Sequence, residues 1–150
     1  YGMVPFEARV LSKERTLCEK IMSLVRFSRQ GDPFMDLPNK IRHVYDIHMM
    51  LLDQEIKNFF NSDEFDVMLQ TVGEDDLISY KNDNEWLYEH PAKAIIFDQP
   101  LQTWEKIKAT YLTTFKDLVV GELPAEEAII NTLEKVANRL KEIECDLSRN

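Results

Sequence analysis

The first residues that could do chemistry are charged side chains near the start of the chain. In the run Leu11–Ile21, Glu19 follows Arg15 by four positions, the spacing of neighbours on one helix face. Lys20 lies about 40° of helical rotation from the apolar Leu24, so its long stem can follow the edge of a core while its ammonium reaches an anion. The alternative interpretation is a lysine that only extends its charge into solvent.

A second pair of charges follows at Arg42 and Asp46, again four positions apart. By itself this spacing indicates a surface salt bridge worth about 0.3–0.5 kcal/mol. If the two helices run antiparallel through a loop around Pro33, a rise of about 1.5 Å per residue places Lys20 and Asp46 within one turn in height, so both can belong to one site. Asp46 projects about 140° from the apolar Ile41, however. We therefore expect no direct contact with Lys20 unless a further element covers Asp46.

Searches for other chemical motifs return nothing. The sequence has no glycine-rich phosphate loop and no Gly-x-Ser-x-Gly nucleophile motif. His43 and His48 lie about 140° apart around a helix, which does not suit two ligands of one metal ion. His48 falls on an apolar stripe and is predicted to be a hydrogen-bonded core residue. Cys18 and Cys145 lack Cys-x-x-Cys spacing, so we expect buried, reduced thiols.

The composition of the 150 residues predicts one helical domain over residues 1–150. Hydrophobic residues make up 44% and charged residues 30%, as in soluble globular proteins. Only four Gly and six Pro are present, which leaves little material for the tight turns of β folds. The expected fold class is all-α or nearly so, a multi-helix bundle with at most one short strand near the N-terminus.

The charge is negative overall but uneven along the chain. The net charge of −9 argues against non-specific nucleic-acid binding by the whole domain. Residues 1–42 nevertheless hold eight basic and five acidic residues, whereas residues 43–150 hold ten and twenty-two. No run of about 18 apolar residues occurs and the start lacks the features of a signal peptide. We therefore expect a cytoplasmic protein without a membrane span.

The elements that must position these residues are predicted from caps, breakers and apolar periodicity. Residues 4–11 are expected to form an extended segment or short edge strand. Ser12 is the predicted N-cap of a helix that ends at Gly31-Asp32-Pro33, and Pro38 is predicted to open a second, central helix. Residues 94–97 fit either a buried strand or a core plug. Three further helices are predicted: from Ser62 to Val72, broken at Gly73-Glu74-Asp75-Asp76; from Asp98 to Leu118, stopped by Gly121; and from Pro124, with an apolar seam through Leu147.

Two of these segments resemble a known family. The run Val10–Ile21, followed by Arg42-His43-Val44-Tyr45-Asp46-Ile47, resembles the paired C-terminal motifs of the AbiEii/AbiGii nucleotidyltransferase toxin family. The stretch Phe115–Pro124, which contains Gly121-Glu122-Leu123-Pro124, is similar to that family's helix, Gly-Glu-x-Pro turn and closing helix. The resemblance extends from about Val10 to Ile143.

The resemblance implies a part of a larger enzyme. Family members are similar to polymerase-beta-type nucleotidyltransferases, in which a preceding sheet domain supplies a Gly-Ser turn and an Asp-x-Asp pair for magnesium. The present sequence contains neither motif, and its first residue is Tyr rather than Met. The chain is therefore expected to be the C-terminal helical half of a nucleotidyltransferase, inactive alone. Mg²⁺ and a nucleoside triphosphate would bind in the complete enzyme, and neither is expected on this chain.

The resemblance also implies roles for residues and partners. Lys20 would serve the triphosphate and Asp46 would be the late acidic residue of the motif, while Arg15, Glu19 and Arg42 are candidates for substrate binding. The implied partners are the missing N-terminal catalytic domain, an antitoxin protein and an RNA acceptor. The alternative hypothesis is a non-catalytic helical module whose acidic helices bind an antitoxin or another protein.

Overall fold

The computed structural model describes residues 12–113, 115 and 122–144. Over these residues the chain forms helices joined by turns, without a strand, which confirms the predicted all-α class. The segment 4–11, Gly121, Cys145 and Leu147 lie outside the described residues. The α-helices are α1 Lys13–Arg29, α2 Pro33–Asp36, α3 Ile41–Met50, α4 Gln54–Phe60, α5 Asp63–Ser79, α6 Ile95–Asp98, α7 Pro100–Leu112 and α8 Glu126–Glu142, with 3-10 turns at Leu37–Lys40, Glu85–Leu87 and Pro91–Lys93.

Helix α1 begins and ends where the sequence predicts. The Ser12 hydroxyl accepts a hydrogen bond from the backbone N–H of Arg15 at 3.0 Å, which satisfies one free donor of the first turn. Past the last turn, Gly31 adopts φ 66°, a conformation that side chains disfavour. The Asp32 carboxylate then caps α2 by accepting from the N–H of Phe34. These local signals fix the length of α1 and therefore the height of Lys20 above the turn.

Helix α1 is the centre of the bundle, with α3 along one side and α5 along the other. Its buried face consists of seven side chains: Leu17, Cys18, Ile21, Met22, Leu24, Val25 and Ser28. Helix α3 packs against both α1 and α8, as expected for the second, central helix of the sequence analysis, although Met49 at its end is exposed. The predicted seam of α8 is buried at Ile129, Leu133, Val136, Leu140 and Ile143.

Several predicted boundaries are wrong, for physical reasons that the structure supplies. Helix α5 continues through Gly73 to Ser79, because buried contacts on α1 outweigh the roughly 1 kcal/mol that a helical glycine costs. Pro38 lies in a 3-10 turn, and α3 begins three residues later at Ile41.

Smaller differences occur in the second half of the chain. Residues 94–97 form a buried helical turn rather than a strand, which leaves the core-plug interpretation. Helix α7 begins at Pro100 with Gln99 as its N-cap, because Asp98 belongs to the preceding turn. It ends at Leu112, and its predicted end at Leu118 lies outside the described residues. Helix α8 begins at Glu126, two residues after Pro124.

The structure also agrees with the predictions for the hydrogen bond of His48 and the buried thiol of Cys18. His48 Nδ1 lies 2.7 Å from the hydroxyl oxygen of Thr132 on α8, so His48 is hydrogen-bonded as expected, although it is half-buried at the edge of the core rather than inside it. Cys18 is a buried free thiol, and burial raises its pKa to about 12, which makes it unreactive. None of the helices in the described ranges has both the length and the apolarity needed to cross a membrane.

A group of charged side chains joins α1 to α5, and we call it the α1–α5 charge cluster: Arg15, Glu19, Asp75 and Asp76. Arg15 Nε donates to Glu19 Oε2 at 3.0 Å, and its Nη2 donates to Asp75 Oδ2 at 2.7 Å. Asp76 is half-buried beside them. Burial, together with the negative charge of Glu19, raises the pKa of Asp76 to about 6. The cluster therefore contains one carboxylate whose charge opposes folding at neutral pH.

Asp76→Asn is expected to raise the free energy of unfolding at pH 7 by about 1 kcal/mol. The folded carboxyl holds its proton more tightly than the unfolded one, so protonation favours the fold. The destabilisation by Asp76 is full above its folded pKa of about 6 and fades as the pH falls toward the unfolded pKa of about 4. Screening at a half-exposed carboxylate keeps the effect below the full linkage value. Urea unfolding at pH 7 and pH 5 measures both values.

The matched control is Asp75→Asn, which removes the carboxylate that accepts from Arg15 and is expected to lower stability slightly. At pH 5 the advantage of Asp76→Asn over the wild type should shrink. Identical unfolding free energies for Asp76→Asn and the wild type at pH 7 would contradict the prediction.

Candidate functional site

The two predicted catalytic residues meet directly. Lys20 Nζ on α1 donates to Asp46 Oδ2 on α3 at 3.0 Å, and each side chain is 22% exposed. The sequence geometry did not lead to this contact, which it made conditional on a further element covering Asp46. The angle measured from Ile41 neglected the reach of the four-carbon lysine stem across two packed helices. The contact joins the two sequence motifs in one ion pair at the seam between α1 and α3.

Arg42 adds a second cation on the outer side of the same carboxylate. Its Nε lies 3.7 Å from Asp46 Oδ2, the oxygen that also accepts from Lys20, and its side chain is 69% exposed. The predicted pair between Arg42 and Asp46 is thus present but loose. An exposed pair of this kind contributes little to stability, so its main effect is extra positive charge at the rim of the site.

Arg15 and Glu19 do not join this ion pair. Both belong to the α1–α5 charge cluster, where Arg15 also binds Asp75. Glu19 and Lys20 are neighbours in sequence, yet they are about 100° apart around α1 and face different helices. The structure therefore divides the five predicted site residues into two groups: Lys20, Asp46 and Arg42 at the α1–α3 seam, and Arg15 and Glu19 at the α1–α5 seam.

His43 belongs near the ion pair, and the sequence reasoning missed it there. It lies one helical turn before Asp46 on α3. Burial, followed by the positive charges of Lys20 and Lys40, lowers its pKa to about 4. Its Nδ1 atom is buried and has no hydrogen-bond partner among the residues that the structure describes. The available signal was the spacing of three residues between His43 and Asp46, which places them on one face of a helix. The sequence analysis considered His43 only as a metal ligand together with His48.

A small cavity opens at the α1–α5 seam, on the other edge of α1. Its volume is about 230 Å³, and it is lined by Glu19, Ser23, Arg26, Asp76, Tyr80 and Trp86. Arg26 Nη1 donates to the Tyr80 hydroxyl at 3.0 Å, and its guanidinium lies 4.2 Å from the centre of the Tyr80 ring. Sequence spacing could not reveal this cavity, because Asp76 and Tyr80 are more than forty residues away from α1.

The resemblance assigns magnesium to a Gly-Ser turn and an Asp-x-Asp pair of a preceding domain, so no magnesium site is expected on this chain. In the ranges 12–113 and 122–144, no group of three or more His, Cys, Asp or Glu side chains is arranged to hold a metal ion. Asp46, the carboxylate of the predicted site, is engaged by Lys20 and Arg42 instead. What this arrangement can do chemically is present positive charge to an anion.

Comparison with known proteins gives one match. A family model described as "Nucleotidyl transferase AbiEii toxin, Type IV TA system" matches residues 2–137. Searches of curated proteins and of solved structures found no match. The matched range includes both motifs of the ion pair and most of α8, and it confirms the resemblance seen in the sequence. Because the match covers more than half of its 150 residues, the chain belongs to the AbiEii nucleotidyl transferase toxin family.

Proposed function

We propose that this chain supplies the helical part of a nucleotidyltransferase site, in which Lys20 binds the triphosphate of the nucleotide substrate and Asp46 holds Lys20 in place. The observation that carries the proposal is the half-buried ion pair at 3.0 Å between residues of the two family motifs. The pair joins the two motifs, 26 positions apart in the sequence, across the seam between α1 and α3.

Asp46 gives Lys20 a defined position. The ammonium has three N–H donors, and the bond to Asp46 Oδ2 directs one of them inward. The remaining donors can then reach phosphate oxygens without a further loss of side-chain freedom, since the stem is already ordered between α1 and α3. A positively charged group held in this way stabilises negative charge on phosphates better than a mobile one does.

The three predicted substrate-binding residues differ in how available their side chains are to a nucleotide. Arg42 is exposed beside Asp46 and adds attraction for a polyanion at the rim of the site. The substrate-binding roles of Arg15 and Glu19 remain predictions. Their side chains already bind each other, and Arg15 also binds Asp75 on α5, so they are less available than Lys20.

The complete reaction requires groups that the 150 residues lack. The sequence contains no Gly-Ser and no Asp-x-Asp pair. We infer that a separate catalytic domain provides these groups, holds magnesium, and acts with this C-terminal helical part in the cytoplasm. The chain alone is then inactive. We further propose that the complete enzyme transfers the nucleotide to an RNA acceptor, that an antitoxin protein binds it, and that it acts in abortive infection.

In the enzyme that includes the catalytic domain, Lys20→Ala is expected to reduce nucleotide transfer by about 10² to 10³-fold, the usual loss for one preorganised electrostatic group. Asp46→Asn keeps the shape but removes the charge that holds Lys20, and should likewise inactivate. The midpoint of thermal unfolding should change little for either variant, because a partly exposed ion pair contributes only about 1 kcal/mol or less. Transfer assays and thermal unfolding on the same preparations measure the two effects separately.

The matched control is another ion pair on a different helix. Lys108 Nζ and Glu105 Oε1 on α7 lie 2.9 Å apart, so Lys108→Ala and Glu105→Gln repeat the same chemical changes away from the site. These variants should retain full transfer activity. Full activity in Lys20→Ala or Asp46→Asn would make that residue a surface charge and would favour the alternative of a protein-interaction module.

The 150-residue chain by itself is expected to bind a nucleoside triphosphate only weakly. Lys20 and Arg42 can supply about −4 kcal/mol, which corresponds to a Kd in the millimolar range, and added salt should weaken binding further. Calorimetric titration at two salt concentrations tests this, with Lys141→Ala as a control for an exposed lysine outside the site. Micromolar, magnesium-dependent binding would reveal a site that the proposal lacks.

A further inference from the structure

We propose that His43 is a positioning residue for Lys20: its neutral ring offers Nδ1 as a second acceptor, so that the Lys20 ammonium can donate to Asp46, to His43 and to a triphosphate oxygen together. This inference rests on the proposed function, since it deepens the role of Lys20 in the same site.

The first observation is the unsatisfied Nδ1 atom. It is buried, and it has no hydrogen-bond partner among the described residues. Buried nitrogen atoms in folded proteins nearly always have a partner, because leaving one unpaired disfavours the folded state. His48, five residues later on the same helix, follows the rule with Thr132 at 2.7 Å. Within the described part of the chain, His43 Nδ1 is thus an acceptor whose donor is not yet in hydrogen-bonding position.

The second observation is which groups surround His43. The charges that act on its ring come from three elements: Lys20 from α1, Lys40 from the 3-10 turn, and Asp46 from α3 itself. Lys20 already uses one N–H on Asp46 Oδ2 and has two more donors. The proposal assigns one of these two donors to Nδ1 of His43.

The protonation state fits this role. Burial and the two lysines lower the pKa of His43 to about 4, so the ring is neutral at physiological pH. In the tautomer that carries its proton on Nε2, the buried Nδ1 keeps a free lone pair. The same low pKa argues against a general acid or base at neutral pH, which requires a pKa near the working pH. The neutral ring can accept a hydrogen bond at Nδ1.

The first test compares His43→Leu, His43→Asn and the wild type in the enzyme that includes the catalytic domain. His43→Leu removes the acceptor and is expected to lower kcat/KM for the nucleotide at least tenfold. It should leave the thermal midpoint unchanged or higher, because it also removes a buried unsatisfied atom. His43→Asn restores an acceptor near the position of Nδ1 and should recover most of the loss. His48→Leu is the matched control: it breaks the bond to Thr132, so it should lose stability and keep activity.

Two outcomes would overturn the proposal at this stage. One is full activity in His43→Leu. The other is a loss of activity in His43→Leu that is accompanied by a lower thermal midpoint and is not recovered in His43→Asn, since that result describes a residue needed only for packing.

The second test needs no transferase activity, so it separates a failure of this inference from a failure of the proposed function. The 150-residue chain with ¹⁵N-labelled histidine is titrated with inorganic tripolyphosphate at pH 7 and followed by NMR. We expect the Nε2–H tautomer, and an Nδ1 resonance that moves in the direction of an accepted hydrogen bond as tripolyphosphate is added. The movement should be absent in Lys20→Met. An Nδ1–H tautomer, an unchanged Nδ1 resonance, or the same movement in Lys20→Met would refute the role of His43.

Discussion

Helix α1 has to bury one apolar face while it keeps two polar edges, and the rest of the structure depends on how those edges are covered. Its apolar face fixes α1 at the centre of the bundle, so α3 and α5 must pack along its two sides. Lys20 then lies at the seam with α3, and Glu19 at the seam with α5. Two neighbouring residues of one motif are therefore in different environments: Lys20 is in a mainly cationic one and Glu19 is in a mainly acidic one.

The polar groups at these two seams contribute little to folding. Half-burying the charges of Lys20 and Asp46 costs solvation free energy that their attraction only approximately offsets. Burial and the charge of Glu19 disfavour the negative charge that Asp76 carries at neutral pH. The Nδ1 atom of His43 is buried without a partner among the described residues. The stability of the bundle comes instead from apolar contacts such as Leu17, Ile21 and Leu24 on α1. Polar groups that do not stabilise the fold are typical of functional sites, where stability is traded for activity.

Sequence reasoning succeeded where the deciding forces are local. Ser12 and Gly31 bound α1 through capping and a left-handed turn, both of which depend on a few adjacent residues. It failed at Gly73, because the contacts that keep α5 helical come from α1, far away in sequence. Lys20 and Asp46 were correctly identified as a pair that could share a site, whereas their contact depends on the relative rotation of two helices and on side-chain reach. Asp76 could not be found at all, since nothing near it in sequence indicates the presence of Glu19.

Under the proposed function, the charge distribution would allow an acidic chain to attract a triphosphate without holding nucleic acid by itself. Lys20, Lys40 and Arg42 lie around His43 and Asp46, so the local charge there is positive although the net charge is −9. At physiological ionic strength charges are screened beyond about 8 Å, and a small anion in contact with Lys20 therefore experiences mainly this local group. A long RNA extends past it and meets the acidic surface contributed by residues 43–150. In the proposed enzyme, an RNA acceptor would consequently be held by another part, while the helical part contacts the triphosphate without retaining the polymer.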